Sequence, residues 1–235
     1  MSLILLIDTA TEGAMVSLAK DADILHTLYH ESPKDHASFL QPAIKKLLAQ
    51  CGLSITNIEA VAISAGPGSY TGLRVGMSSA KGLCYALRIP LITLHTLEIL
   101  AVSAILPNKD HLEYSTALFC PMIDARRMEV YAAIYTAEME LLLPPSSYIL
   151  TDHSFEEPLQ ENRVIFFGNG AKKWEQLCNH PNALFQPVVL NPEAMAGIAE
   201  SHLMQKKIAS LEESVPFYLK EHYIFPEKYK KVEKK

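Results

Sequence analysis

Residues 66–72 read GPGSYTG, between an apolar run that ends at Ala65 and a segment with helical spacing. A glycine loop at that junction aims free N–H groups and the positive end of a helix dipole at one point, where an anion is favoured. Gly66, Gly68, Ser69 and Thr71 are therefore candidate anion contacts. The loop is neither G-x-G-x-x-G, because position 71 is Thr, nor a P-loop, because Gly72 is followed by Leu73. A tight strand-to-helix turn without ligand accounts for the same residues. Asp8 closes the apolar run 3–7 beside Thr9 and Thr11. A carboxylate there can hold metal-bound phosphate, or can bind its own backbone in a turn. In DARR at 124–127, Arg126 and Arg127 offer guanidinium forks that suit phosphate or carboxylate. A solvated turn would accept them as well.

No catalytic residue emerges from the spacing. There is no G-x-S-x-G, and Ser69 has no local base. His26 and His30 form H-x-x-x-H on a predicted strand, where four residues span about 13 Å, too far for one ion. H-E-x-x-H does not occur, and His95 with Glu98 has no second His after it. No metal site is expected.

The elements that must position these residues follow from periodicity. Residues 3–7, 14–19 and 23–29 read as three strands joined by short turns. A helix follows, with Asp35 or Ser38 as N-cap and Gly52 as its stop; Pro42 fits its first turn, which places the start near Ser38. Residues 58–64 form a buried strand, the glycine loop opens a helix over 71–87, 90–93 is a short strand and 95–106 a helix. The order βββαβαβα predicts a mixed sheet with helices on its faces, as in the ribonuclease-H-like half of the actin/Hsp70/sugar-kinase (ASKHA) superfold. It partly repeats: strands at 115–122, 129–135, 140–143 and 163–167, Gly168-Asn-Gly170, a helix around 172–177 and another from Pro192 to about Ile208. The stretch 144–161 has no clear pattern. Gly72, Gly76, Ala80 and Cys84 recur every fourth position. Two helix-interior glycines cost about 1 kcal/mol each relative to Ala, so the stripe packs closely, on this chain's own sheet or on a partner's helix.

Composition sets outer bounds. A chain of 235 residues, 49% hydrophobic, buries enough surface to fold without disulfide or metal. The tail 227–235 holds five Lys and two Glu, a local +3; with a formal net charge of −5, the body carries −8. An acidic body is a poor sole binder of nucleic acid. Cys51, Cys84, Cys120 and Cys178 form no C-x-x-C and sit in apolar stretches, which fits reduced thiols in a cytoplasmic protein. The apolar run 3–7 is too short for a signal peptide, and no run is long enough to span a membrane.

The strings LLIDTAT at 5–11, ISAGPGSYTGLRVG at 63–76 and IDARRMEVY at 123–131 together resemble the bacterial TsaB (YeaZ) family. HASFLQPAIKKLL at 36–48, IPLITLHTLEILA at 89–101, FGNGAKKW at 167–174 and VPFYLK at 215–220 extend the resemblance over most of the chain. It implies an α/β chain of two ribonuclease-H-like ASKHA subdomains, here 1–106 and 107–225, followed by a basic tail at 226–235. The last helix or tail is free to pack back on the first subdomain. It also implies a non-catalytic paralogue of TsaD, the enzyme that transfers a threonylcarbamoyl group to N6 of the adenosine beside the tRNA anticodon. The implied partners are a TsaD-like subunit in a heterodimer and a TsaE-like ATPase, with tRNA met only through the complex. ATP or ADP would sit at the complex interface, with no cofactor required by this chain. The isolated chain would pair with itself.

The implied interface lies on helices 36–50 and 71–87, at Leu40, Ile44, Leu47, Gly72, Val75, Gly76, Ser79, Ala80 and Leu83. On that basis Gly76→Leu should abolish pairing and leave the monomer folded. The catalytic relative's H-x-x-x-H ligands align with Thr96 and Leu100, neither of which can act as an imidazole, so peptidase chemistry finds no ligand set. The competing expectation is a nucleotide-binding or phosphotransfer enzyme of the ASKHA type, using Asp8, the glycine loop and Gly168-Asn-Gly170. Against it, Thr-Ala-Thr follows Asp8 where a glycine-containing phosphate loop is needed.

Overall fold

The computed structural model describes residues 2–30, 35–108, 111 and 114–220. β1 (Leu3–Asp8), β2 (Ala14–Lys20) and β3 (Asp23–His30) form an antiparallel meander. α1 (His36–Gln50) leads to β4 (Ala60–Gly66), α2 (Tyr70–Leu87) to β5 (Leu91–His95), and α3 (Thr96–Ile105) follows. β4 and β5 add in parallel beside β1, giving the order β3-β2-β1-β4-β5. The second half repeats this plan. β6 (Leu118–Asp124), β7 (Glu129–Tyr135) and β8 (Leu141–Ile149) are its meander, and α4 (Glu156–Glu161), β9 (Val164–Phe167), α5 (Ala171–Glu175), β10 (Ala183–Gln186) and α6 (Pro192–Met204) complete it. Its sheet runs β10-β9-β6-β7-β8, the same topology. The fold is α/β, built from two ribonuclease-H-like units of the ASKHA superfold.

Alternation along β1 assigns the two faces of the first sheet. Leu3, Leu5 and Ile7 pack with Leu40, Ile44 and Leu47 of α1 and with Met77, Ala80 and Cys84 of α2. Ile4 and Leu6 point to the opposite face and meet Met195, Ala196 and Ala199 of α6. The second sheet has Leu159 of α4 and Trp174 of α5 on one face, and Leu97, Leu100 and Ala104 of α3 on the other. The last helix of each half therefore covers the sheet of the other half. α3 is apolar on most of its circumference because it touches both cores. Ser103 Oγ donates to the Ile99 carbonyl (2.7 Å) and accepts from Asn191 N (3.0 Å), which ties the start of α6 to α3.

Several boundaries differ from the expectations. α1 begins at His36, so Pro42 is its seventh residue rather than a first-turn residue. The burial of Leu40 and Ile44 on either side outweighs the loss of one N–H donor. β8 continues through Pro144 and Pro145, which the sequence left unpatterned; it is an edge strand, where a missing ladder donor is tolerated. β10, four residues long, was not expected. α6 ends at Met204 rather than near Ile208. The basic tail at 226–235 lies outside the described residues.

Candidate anion cleft and partner surface

Two residues after β1, Thr9 and Ala10, fix the glycine loop. Ala10 O accepts from Ser69 N at 2.6 Å, and a Cβ on Gly68 would stand 2.1 Å from that same oxygen. A Cβ on Gly72 would lie 2.1 Å from Thr9 O, and one on Gly76 would lie 2.3 Å from Thr9 Oγ1. Thr9, itself fully buried, donates to Gly72 O at 2.8 Å. The turn after β1 is thus pressed into the groove formed by Gly68, Gly72 and Gly76. Glycine is needed there so that two backbones can touch. The second half repeats the device: a Cβ on Gly168 would lie 2.4 Å from Met122 O, and Gly170 is held against Asp124 at the end of β6.

This geometry corrects the interface expectation. Gly72, Gly76 and Ala80 face Thr9 and the first sheet, and Leu40, Ile44 and Leu47 lie in the same core. None of these six presents a surface to a partner, and Gly76→Leu would strike the fold first. Val75, Ser79 and Leu83 are half-buried on the flank of α2. Its outward face carries Ser78, Gly82, Tyr85 and Ala86, with Tyr85 79% exposed. Among the described residues nothing lies within 4 Å of a Cβ on Gly82.

A cleft of about 750 Å³ opens between the two halves. One wall is Gly68, Ser69, Tyr70 and Thr71 at the N-terminus of α2; Arg126 and Arg127 stand on the other. Ser69 caps α2, its Oγ accepting from Gly72 N at 3.3 Å. Both arginines have left-handed backbones, φ 69° and 47°. Asp124 organises their turn: its Oδ1 accepts from Arg126 N and from Lys173 Nζ at 2.6 Å. Asn169 Oδ1 in turn accepts from Asp124 N at 2.9 Å. Lys173 is thereby paired, as is Lys220 with Glu129. Among the described residues no carboxylate lies in ion-pair range of Arg126 or Arg127, so these two are the wall's uncommitted cations.

Of the candidate anion contacts, Gly68, Ser69, Thr71, Arg126 and Arg127 line the cleft and Asp8 and Gly66 do not. Asp8 is turned inward, accepting from Ser64 Oγ and from Ala10 N (3.1 Å). Burial raises its carboxyl pKa above the ordinary 3.8, against the lowering effect of those two donors. It is a turn aspartate bound to its own backbone. Gly66 is covered by Phe217, whose N–H donates to Ala65 O at 2.7 Å. Thr96 and Leu100, at the positions aligned with the relative's metal ligands, are buried on α3. Among the described residues no group of three His, Cys, Asp or Glu side chains is arranged to hold a metal ion, and no helix is long and apolar enough to cross a membrane.

Sequence reasoning missed Tyr70, Tyr131, Lys173, Tyr218 and Lys220 in the cleft lining. Each lies in a string that carried the family resemblance, Tyr70 in 63–76, Tyr131 in 123–131, Lys173 in 167–174 and Tyr218 and Lys220 in 215–220, but nothing in the spacing gave it a role.

The comparisons with known proteins agree with this architecture. A family model described as "TsaD: tRNA N6-adenosine threonylcarbamoyltransferase" matches residues 30–209. The "tRNA threonylcarbamoyladenosine biosynthesis protein TsaB" of Escherichia coli (strain K12) is 30% identical, the match covering 92% of this chain and 94% of the relative. The protein of the same name from Bacillus subtilis (strain 168) is 27% identical over 92% and 93% of the two chains. A crystal structure described as YeaZ-like, from Pseudomonas aeruginosa, superposes with a TM-score of 0.78 at 26% identity, covering 94% of this chain and all of that one. With matches of this length, and with the glycine loop and the Asp124–Arg127 turn lining one cleft, the chain belongs to the TsaD family and, within it, to the TsaB (YeaZ) group.

Proposed function

We propose that this chain is a non-catalytic subunit in the biosynthesis of tRNA threonylcarbamoyladenosine, cytoplasmic, and paired with a TsaD-like catalytic paralogue. The observation that carries this reading is Gly82. It sits inside α2 at a cost of about 1 kcal/mol relative to Ala, and among the described residues no atom lies near enough to need it. A partner helix approaching closely along Ser78, Gly82 and Ala86, with Tyr85 as an anchor, supplies the reason. Val75, Ser79 and Leu83 flank that seam. The family name supports the pathway. Thr96 and Leu100 in place of imidazole ligands, and the acidic body, support a role that leaves the transfer step and most tRNA contact to the partner. A TsaE-like ATPase joins the same assembly, with ATP or ADP at its interfaces, and without the paralogue the α2 face pairs with a second copy of this chain.

Two measurements test this. Gly82→Lys should abolish co-purification with the TsaD-like paralogue without lowering thermal stability. Retained co-purification overturns the surface. Depleting the protein should remove threonylcarbamoyladenosine from bulk tRNA, read by nucleoside mass spectrometry, and unchanged modification overturns the pathway.

A second reading rests on the cleft itself. The N-terminus of α2 facing Arg126 and Arg127 suits an anion, which makes nucleotide binding or phosphotransfer by this chain the alternative. Calorimetric titration of the isolated chain with Mg-ATP separates the two. Micromolar binding with turnover, both lost in Arg126→Ala/Arg127→Ala, favours the enzyme; no heat favours the non-catalytic subunit.

A further inference from the structure

The chain after α6 crosses the whole front of the molecule. Ala209 pairs antiparallel with Leu91 on β5, its N–H donating to the Leu91 carbonyl at 2.9 Å. Leu211 packs on the first core, and Ser214 O accepts from Lys81 Nζ of α2 at 2.9 Å. Phe217 donates its N–H to Ala65 at the end of β4, and its ring meets His95 edge-on, centroids 4.8 Å apart. Tyr218 Oη accepts from Arg74 Nε at 3.1 Å, its ring tilts over Tyr70, and Arg74 lies 3.9 Å above the Tyr70 ring. Then the segment leaves the first half. Lys220 pairs with Glu129 on β7 of the second sheet.

Among the described residues the other main contacts between the two halves are those of α3 and α6, which lie between the sheets. A joint on one side only leaves rotation about that side as the soft motion, and rotation of this kind opens or shuts the facing cleft. A tie at the front removes it. Residues 217–220 also form part of the cleft lining.

We propose that residues 209–220 are a clasp that fixes the angle between the two halves and so sets the width of the cleft within the chain. The clasp is anchored on the first half by backbone bonds and aromatic contacts, and closes on the second half through Lys220 and Glu129. The aromatic contacts hold the segment on the first half, and its link to the second half is the Lys220–Glu129 pair; the Glu129 side chain is largely buried, which sets this pair apart from the weak, fully exposed kind. Because Arg74 and Lys81 of α2 grip the clasp, the helix whose outer face is the partner surface also holds the cleft shut.

The test uses the full chain with spin labels on encoded keto residues at Lys45 on α1 and Glu157 on α4, both exposed and on opposite halves. Pulsed dipolar spectroscopy should give one narrow distance distribution. In Phe217→Ala/Tyr218→Ala/Lys220→Ala it should broaden and extend several ångströms to longer distance, with the thermal transition still cooperative. An unchanged narrow distribution overturns the clasp. Should the triple variant lose cooperative unfolding, the charge pair decides: Lys220→Glu should broaden the distribution and Lys220→Glu/Glu129→Lys should restore it. No change in the first, or no recovery in the second, also overturns the proposal. These readings need no partner, so they stand apart from the fate of the pairing surface.

Discussion

Replacing Gly76 and Gly82 by alanine, one at a time, should shift stability in opposite directions although both lie inside α2. Helix preference alone favours alanine by about 1 kcal/mol at each site. At Gly82 the new methyl group meets none of the described residues within 4 Å, so the isolated chain should gain about 0.5–1 kcal/mol. At Gly76 the new Cβ falls 2.3 Å from Thr9 Oγ1 and 2.9 Å from Ile63 Cδ1. Thr9 cannot move freely, because it is fully buried and its hydroxyl holds the Gly72 carbonyl. Displacing it forfeits a hydrogen bond worth about 0.5–1.5 kcal/mol, and forcing a methyl group into a filled core costs about 1–3 kcal/mol more. After the helix gain is subtracted, Gly76→Ala should lose about 0.5–3.5 kcal/mol net. Urea denaturation of the full chain, followed by circular dichroism, measures both midpoints; an unchanged slope makes them comparable. The series is run at two protein concentrations, since self-pairing would make the midpoint concentration-dependent. Equal stabilisation by both substitutions would refute the claim that the Gly72–Gly76 face is filled by this chain's own turn.

Asp8→Asn should stabilise the fold at neutral pH. The folded carboxyl pKa lies above 3.8 because burial disfavours the charge, so the native state binds the proton more tightly than the unfolded one. Stability therefore falls as pH rises from 3.8 through the folded value and stays lowered above it. The asparagine variant should lose that slope and match the parent at low pH, as read by melting temperature against pH. Burial pushes the Cys84 thiol up to about 11 and the Cys120 thiol well above its usual range. Alkylation of the native chain at pH 8 should therefore spare both while modifying the half-buried Cys51 and Cys178, as peptide mass spectrometry would show. Ser103→Ala breaks the link between α3 and the start of α6 and should cost about 1–2 kcal/mol in denaturant titration. Gly68→Ala would set a Cβ 2.1 Å from Ala10 O and should lower the melting temperature by more than Gly82→Ala raises it.

The sequence by itself determined the elements and their order. The short apolar runs of β1 and β4, helical spacing in α1 and α2, and glycine and proline at the joints are local signals, and the βββαβαβα plan followed from them. The family was equally legible, because strings such as GPGSYTGLRVG and the Asp-Ala-Arg-Arg turn are specific in combination. Local signals failed where long-range contacts decide. β10 is only four residues, defined by parallel pairing with β9; β8 runs through two prolines because it lies at an edge. Which face of α2 is buried was beyond the sequence. Small residues at every fourth position report that something comes close, and both a partner helix and the chain's own turn satisfy that. Only the tertiary structure shows Thr9 in the groove, which fills that face from within the chain and leaves the side around Gly82 outward. Likewise, Asp8 and Arg126 look alike as candidates in sequence. The fold turns one inward onto Ser64 and the other into the cleft, because residue type sets what a side chain can bind and packing sets what it can reach.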